Sequence, residues 1–326
     1  MRDVELLFEN VGGEIYRHHA SQLTFATERT CTPGKLTGTI PCVSGNVPEM
    51  GATVRLCVDG VNVFYGRVFS TEIDRWGVLS FTAYDSLRYC KNNFSNHYHG
   101  EVTVQQVIRD IAKLNELEVG TLADVKPCGR NMSFDNECGF DCISRCVETA
   151  TVLNERILVF WDNLGKLSLS WADEMTTDVL IGDSSLATDY RFSCDIDDDT
   201  YNAVMLYREE SDEGARAIRD AKDNASMSKW GKLILSEQVD DHMSVEQMQD
   251  KANKLLAMKN RPSKKMSITA LGVVGLRAGM MINIHFPSVP DSISKRQTVI
   301  LDSVIHNFEN SAHTMELEVR TFWRDC

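Results

Sequence analysis

Between Gly51 and Ala83 the chain changes polarity residue by residue, and this period of two commits it to β structure. Val54, Leu56 and Val58 alternate with Arg55 and Cys57, and Asp59-Gly60 then supplies a two-residue hairpin turn. The return strand, Val61 to Phe64, leads through Gly66 into Val68 and Ile73, Arg75-Trp76-Gly77 turns the chain, and Val78 to Ala83 alternate again. Strands this closely spaced favour an antiparallel barrel or sandwich, so residues 1–95 are predicted as strands.

The far end of the chain has the same grammar. Strands are predicted at Lys265–Leu271, Met280–His285, Gln297–Phe308 and His313–Phe322. In the first region Gly51 opens a strand, Phe69-Ser70-Thr71-Glu72-Ile73 follows, and after a turn comes Leu79-Ser80-Phe81-Thr82-Ala83. In the second Gly279 opens a strand, followed by Leu301-Asp302-Ser303-Val304-Ile305, a turn, and Met315-Glu316-Leu317-Glu318-Val319. The shared order suggests a duplicated barrel, although alternating strands resemble one another by default.

Helical spacing enters between these regions. Thr103 with Gln106 forms a capping box ahead of Val104, Val107, Ile108, Ile111 and Leu114. A loop is predicted at 119–137, then a helix near 138–154 whose stripe holds Cys138, Cys142, Cys146, Ala150 and Leu153. Strands Ile157–Trp161 and Lys166–Trp171 flank a turn at Asn163-Leu164-Gly165. From 190 to 240 the chain is acidic and turn-rich, with one strand predicted at Ala203–Tyr207 and an exposed loop after it. A further helix starts at Ser244, capped through Gln247, with Val245, Met248, Ala252 and Leu255 inward. The fold class is therefore mainly β (α+β): a first β-barrel domain over 1–100, a small helical α+β insertion over 101–189, and a second β-barrel domain over 190–326 carrying a helix and an acidic loop.

Composition narrows the function classes. The 326 residues contain 34 Lys+Arg against 47 Asp+Glu, a net charge of -13, which is a poor platform for gripping nucleic acid. The N-terminus carries Arg2, Asp3 and Glu5 with no apolar run, so no signal peptide is read there, and no stretch approaches the roughly 18 apolar residues that span a bilayer. The ten cysteines accordingly read as free thiols of a reducing cytosol.

No catalytic, cofactor-binding or metal-ligating residue is assigned. Cys138, Cys142 and Cys146, with Cys128 upstream, are the sharpest metal candidate, but Cys138 and Cys146 lie about 12 Å apart along a helix, too far for one zinc ion, so they read as core. His97 and His99, and likewise His18-His19, read as loop surface. Asp195, Asp197, Asp198 and Asp199 invite a calcium reading, but an EF-hand beginning at Asp195 would need Gly and Glu where Thr200 and Leu206 stand, so a solvated acidic turn is expected. Nucleophile-elbow, zinc-protease, phosphate-loop and dinucleotide motifs are absent. With 47 acidic residues a carboxylate pair for glycoside hydrolysis stays open, but nothing singles one out.

Three stretches carry a family resemblance. MGATVRLCVDGVNVFYGRVFSTEID, followed by Tyr84-Asp85-x-Leu87-Arg88-Tyr89, is similar to the N-terminal part of the tail hub proteins of Gram-positive contractile tails and PBSX-type phage-like particles. TVQQVIRDIAKLNELEVG at 103–120 resembles the helix and exit that follow there. SMSKWGKLILSEQVDD, the helix through Lys254-Leu255-Leu256, and LGVVGLRAGMMINI at 271–284 resemble the approach to a second barrel. The cysteine stripe and the acidic segment at 195–225 are not features of that family. The resemblance implies a non-enzymatic baseplate hub related to myovirus hubs and type VI spike-hub proteins. Such a hub is a homotrimer whose six barrels adapt a six-fold tail tube to a three-fold spike. Its implied partners are the tail tube protein, the central spike and other baseplate or tape-measure proteins, with no cofactor, no specific nucleic-acid binding and no membrane insertion. It would assemble in the bacterial cytoplasm and end in the baseplate of a phage tail or bacteriocin-like particle. The competing readings are a tail-associated cell-wall hydrolase and a zinc-dependent binding module.

Overall fold

The computed structural model describes residues 2–18, 20–30, 32–41, 47–209, 216–239, 243–289, 294–309 and 312–320. The first β-rich part comprises β1 (Val4–Glu9), β2 (Ile15–His18), β3 (Gln22–Glu28), β4 (Lys35–Pro41), β5 (Thr53–Val58), β6 (Val61–Ile73) and β7 (Val78–Tyr84). The predicted turn between β5 and β6 places Asp59 at φ 50° and Gly60 at φ 78°, the two positive values that match the twist of a tight hairpin. The alternation Val54, Leu56, Val58 is buried throughout.

An α+β unit follows: β8 (Asn93–His97), β9 (Glu101–Val102), α1 (Val104–Leu114), β10 (Glu118–Leu122), β11 (Gly129–Arg130), β12 (Ser133–Cys138), α2 (Gly139–Asn154), β13 (Leu158–Asp162) and β14 (Lys166–Trp171). The capping box at Thr103 and Gln106 forms in both directions. Val104, Val107, Ile108 and Ile111 are buried as their spacing predicts, whereas Leu114 lies outside the apolar stripe at the fraying last turn and is 58% exposed. The segment predicted as a loop at 119–137 contains β11 and β12, and β12 pairs with β8.

The second β-rich part begins ahead of the predicted boundary at 190. β15 (Thr176–Gly182) and β16 (Ala187–Asp195) already belong to its sheet, which β20 (Ser263–Leu271), β21 (Met281–His285), β22 (Gln297–Glu309) and β23 (Ala312–Arg320) complete. The exposed loop expected after Ala203–Tyr207 is instead a folded unit. β17 (Ala203–Glu209) pairs with β18 (Arg216–Lys222) and β19 (Ile234–Gln238), a short α3 (Asn224–Trp230) connects them, and α4 (Val245–Lys259) packs against this sheet. Val204, Leu206, Ala221, Met248, Ala252 and Leu255 make its own core, joined by Val152 of α2. The charged, small-residue sequence of β18 hides this strand, because a weak sheet face lends it little apolar alternation. Residues 210–215 of the acidic stretch lie outside the described residues.

Two features place the β-rich parts in one architecture. Their strand orders are the same, β3-β4-β7-β6-β5-β1 in the first and β16-β20-β23-β22-β21-β15 in the second, and five of the six strands run in matching directions; the sixth differs, with β1 antiparallel to β5 and β15 parallel to β21. They are also not separate sheets, because the C-terminal half of β22 pairs with β3 and joins everything into one 13-stranded ladder. Each part nevertheless curls around its own core. Phe8 on β1 meets Phe81 on β7 at 5.1 Å between ring centroids, and Phe25 on β3 meets Phe64 on β6 at 5.4 Å. Strands three places apart in a flat sheet would stand about 14 Å apart. In the second part Tyr190 of β16 meets Phe286, just beyond β21, at 4.8 Å.

The repeat extends to single residues. Phe69 of β6 and Asp302 of β22 are the bulged positions against β7 and β23, which aligns Ser70 with Ser303 and Thr71 with Val304. Gly51 and Gly279, at φ 82° and 88°, donate to the carbonyls of Val68 and Leu301, which are themselves equivalent. Lys35, Leu36 and Thr39 on β4 match Lys265, Met266 and Thr269 on β20, and Phe25 on β3 matches Phe192 on β16.

Candidate functional site

The chain's most elaborate side-chain chemistry lies where its parts meet. At the joint between β3 and β22, Ser303, Val304, Ile305 and His306 stand opposite Glu28, Thr27, Ala26 and Phe25. Val304 and Thr27 are both buried. At its rim the Asp302 carboxylate accepts from Arg29 Nε at 2.7 Å and from Arg320 Nε at 2.8 Å, and the Arg29 backbone N–H donates to the Asp302 carbonyl at 2.8 Å. One carboxylate thereby ties β3, β22 and β23 together.

Inside the joint, His306 Nδ1 lies 2.9 Å from His313 Nε2, and the other His306 nitrogen lies 2.8 Å from the Leu276 carbonyl. Burial lowers both imidazoles, His313 to about 4, so the pair is neutral at pH 7.

A second junction pins three parts of the fold. Asp85, in the sequence signature after β7, accepts from the N–H groups of Gly34 and Leu87 and starts a short 3-10 helix. A Cβ at Gly34 would lie 2.4 Å from its carboxylate, so the close approach requires glycine there. Asp162, at the end of β13, is buried nearby, and Arg277, ahead of β21, donates to the Asp162 carbonyl at 2.5 Å and lies over the Trp161 ring at 4.4 Å. Burial, and then the negative charge of Asp162, hold the Asp85 carboxyl well above the usual range, against the pull of Arg277. The signature at 84–89 is thus a structural clamp.

The sequence candidates for metal chemistry are dispersed. Cys142 and Cys146 lie on the buried face of α2, Cys128 is buried against Cys146, and Cys138 sits at the start of the helix. Burial pushes Cys142 up to about 11, and a hydrogen bond with Cys128 together with burial pushes Cys146 up as well, leaving Cys142 and Cys146 protonated at neutral pH, while the same hydrogen bond lowers Cys128. Among the described residues no three His, Cys, Asp or Glu side chains converge on a point fit for a metal ion. His97 lies in strand β8 rather than in a loop, exposed, with its Nδ1 2.6 Å from Ser133 Oγ. His18 ends β2 and is buried edge-on against Phe8, because its alternation puts it on the core face of the strand. His19 lies outside the described residues.

The acidic turn is exposed at Asp197 and Asp198, as expected, and it is also partly neutralised. Asp195 accepts from the N–H groups of Asp197 and Asp198, Asp198 pairs with Lys265, and Asp199 pairs with Lys259 and Arg320. These cations lie some sixty residues or more away in sequence, so the pairing was not legible locally. A cavity of about 380 Å³ lies between α2, α4 and the β22–β23 end, and mixes Ile143, Leu158 and Leu255 with Glu237, Lys251 and Arg320. Lys251 and Glu237 are paired there at 2.5 Å. No helix among the described residues is long and apolar enough to cross a membrane.

Known proteins share this arrangement. The phage-like element PBSX protein XkdQ of Bacillus subtilis is 28% identical over 97% of this chain and 93% of its own length. YqbQ of the same organism is also 28% identical, over 82% and 81%. Among solved structures, a tail protein from Neisseria meningitidis superposes with a TM-score of 0.74 at 15% identity, covering 99% and 98% of the two chains. The 43 kDa tail protein of prophage MuSo2 from Shewanella oneidensis gives 0.73 at 10% identity, covering 98% of each. A type VI secretion component of E. coli gives 0.57 at 10% identity, covering 97% of this chain and 76% of that one. At such identities these structures establish a common fold. A family model also matches residues 23–320, and the chain belongs to that family, the YQBQ-like proteins.

Proposed function

We propose that the chain is a structural hub in the baseplate of a phage-tail-like injection machine, where three copies form a ring between a six-fold tail tube and a three-fold spike. One observation carries this reading: the chain holds the same strand order twice, five strands of it in matching directions, with the bulge and the opening glycine at equivalent places in both. Three copies then present six near-equivalent surfaces while true symmetry stays three-fold. Heterologous contacts of this kind close into a ring or run on as a filament. The kinship with XkdQ of phage-like element PBSX and the fold shared with tail proteins support the same assignment.

The remaining parts fit a mechanical role. The buried clamp of Asp85, Asp162 and Arg277 fixes the first insertion against both modules, and the net charge of -13 suits a conduit that does not hold a passing polyanion. Mixing the purified protein with its cognate tail-tube protein tests the role: tubes should start sooner and from defined ends. Tube assembly at an unchanged rate, together with release of fragments from peptidoglycan by the hub protein, would replace this reading with a cell-wall hydrolase.

A further inference from the structure

Among the strand edges of the ladder that lack a partner among the described residues, as β2 and β15 also do on one side, two correspond to the strands that join the modules inside the chain. β16 pairs only with β20. On β6 the residues from Val61 to Gly66 pair with β5, Arg67 pairs with both β5 and β7, and from Ser70 to Ile73 only β7 pairs with it. By the residue equivalences, β16 stands in the second module where β3 stands in the first, and the C-terminal half of β6 stands where that of β22 stands. Within the chain β3 and β22 are the strands that join the modules.

We propose that the two open edges make the same joint between chains: β16 of one copy adds, antiparallel, to the C-terminal half of β6 in the next. The inference rests on the ring reading and supplies the contact that closes the ring. Its register is copied from the internal joint. Ser70, Thr71, Glu72 and Ile73 of one copy then face Asp195, Cys194, Ser193 and Phe192 of the other, as Ser303, Val304, Ile305 and His306 face Glu28, Thr27, Ala26 and Phe25 within the chain. One step further, Asp74 comes opposite Arg191, a pair of opposite charge.

Exposure supports the assignment. Leu23, Phe25 and Thr27, covered by β22, are 2%, 5% and 4% exposed, and His306 across from Phe25 is 3% exposed. Their counterparts at the open edges are uncovered: Tyr190 and Phe192 are half-buried, Cys194 is exposed, and Ile73 is 51% exposed. An edge strand carrying uncovered apolar side chains is a template for another strand.

The rims of the two joints supply the specificity. In the internal joint the rim is ionic, Arg29 with Asp302 and Arg320. The residues equivalent to these three are Ile196, Phe69 and Tyr84, and Phe69 already packs edge-on against Tyr84 at 5.4 Å, with 36% of its surface open. An ionic set has become an apolar one as a unit. Pairing β3 with a neighbour's β6 would set Arg29 against Phe69, and pairing β16 with a neighbour's β22 would set Ile196 against Asp302. Both mismatches select against like-with-like contacts, so first and second modules alternate around the ring.

A single substitution tests the register, because Cys194 is already in place. Directly opposed residues of an antiparallel pair have Cα atoms about 4.5–5.5 Å apart, within the roughly 4.4–6.8 Å that a disulfide spans. Particles assembled with full-length Thr71→Cys protein, mildly oxidised and run without reductant, should give covalent dimers and trimers. Peptide mapping should place the link between position 71 and Cys194 of another copy, and adding Cys194→Ser should abolish it. In parallel, Phe69→Asp should block trimer formation in protein that still folds and melts cooperatively as a monomer, and adding Ile196→Arg should restore the trimer by recreating the ionic rim. Particles that hold three copies but show no link from 71 to 194, or trimers formed equally well by the Phe69→Asp protein, overturn the joint and leave the ring reading standing. Particles with any other copy number per ring overturn both.

Discussion

Leu317 lies in the middle of β23, opposite Ile268 on β20 and Val304 on β22, and is 1% exposed, whereas Glu318 beside it points to solvent. Leu317→Ala removes three buried carbons from a site walled by two hydrogen-bonded strands that cannot collapse inward, so a loss of about 3 kcal/mol is expected. Leu317→Asp adds an unpaired buried carboxylate worth several kcal/mol more, and the total of roughly 6 kcal/mol approaches the whole stability of a typical domain. Glu318→Ala should change stability by less than about 0.5 kcal/mol. Guanidinium unfolding followed by near-ultraviolet circular dichroism and by hydrogen exchange reads both the magnitude and its spread. Because Val304 is hydrogen-bonded onward to Thr27 of β3, the Leu317→Ala loss should lower protection in β3 and β4 as well as in β20 to β23. Equal shifts for Leu317→Ala and Glu318→Ala would refute the assigned face. Unchanged protection in β3 would refute the shared ladder.

Three further outcomes are expected. The imidazoles of His306 and His313 are held below their ordinary value of about 6.5, so the neutral pair's contribution is complete above that pH and is lost as pH falls toward 4; the melting temperature should drop across that window, and His306→Gln/His313→Gln should flatten the drop. Gly51→Ala meets open space and should cost only the roughly 1–2 kcal/mol of its left-handed backbone, whereas a Cβ at Gly279 lies 2.4 Å from Val159 and should cost visibly more in the same denaturation assay. With a thiol reagent on native protein, Cys194 should react quickly while Cys90, Cys142 and Cys146 wait for unfolding; elemental analysis finding about one zinc per chain would contradict the reading of these thiols as core.

How much of this was legible in the sequence depended on how locally each signal was encoded. The Asp59-Gly60 hairpin and the two capping boxes, at Thr103 and Ser244, are determined by neighbours within four residues, and the structure has them where the sequence put them. The alignment of Leu79–Ala83 with Met315–Val319 was also visible, because both strands alternate cleanly with one buried face. The partner alignment was out by one residue, setting Phe69 against Leu301 where the structure sets it against Asp302. A bulge inserts a residue that alternation alone does not reveal, and it occurs here in both repeats. The unit at 203–259 was missed beyond its first strand and its helix, since β18 and β19 bury little and their core depends on Val152, about fifty residues earlier. The joint between β3 and β22 had no sequence signal at all. It spans some 280 residues, and Arg29 and Asp302 look like ordinary surface charges until the strands are paired.

If two modules per chain make six positions from three copies, a map of the assembled baseplate by electron cryo-microscopy should show it directly. Three chains are expected in the ring, with first and second modules alternating around an open channel whose wall is neutral to negative. A ring of six chains, or a strongly basic channel wall, would contradict it.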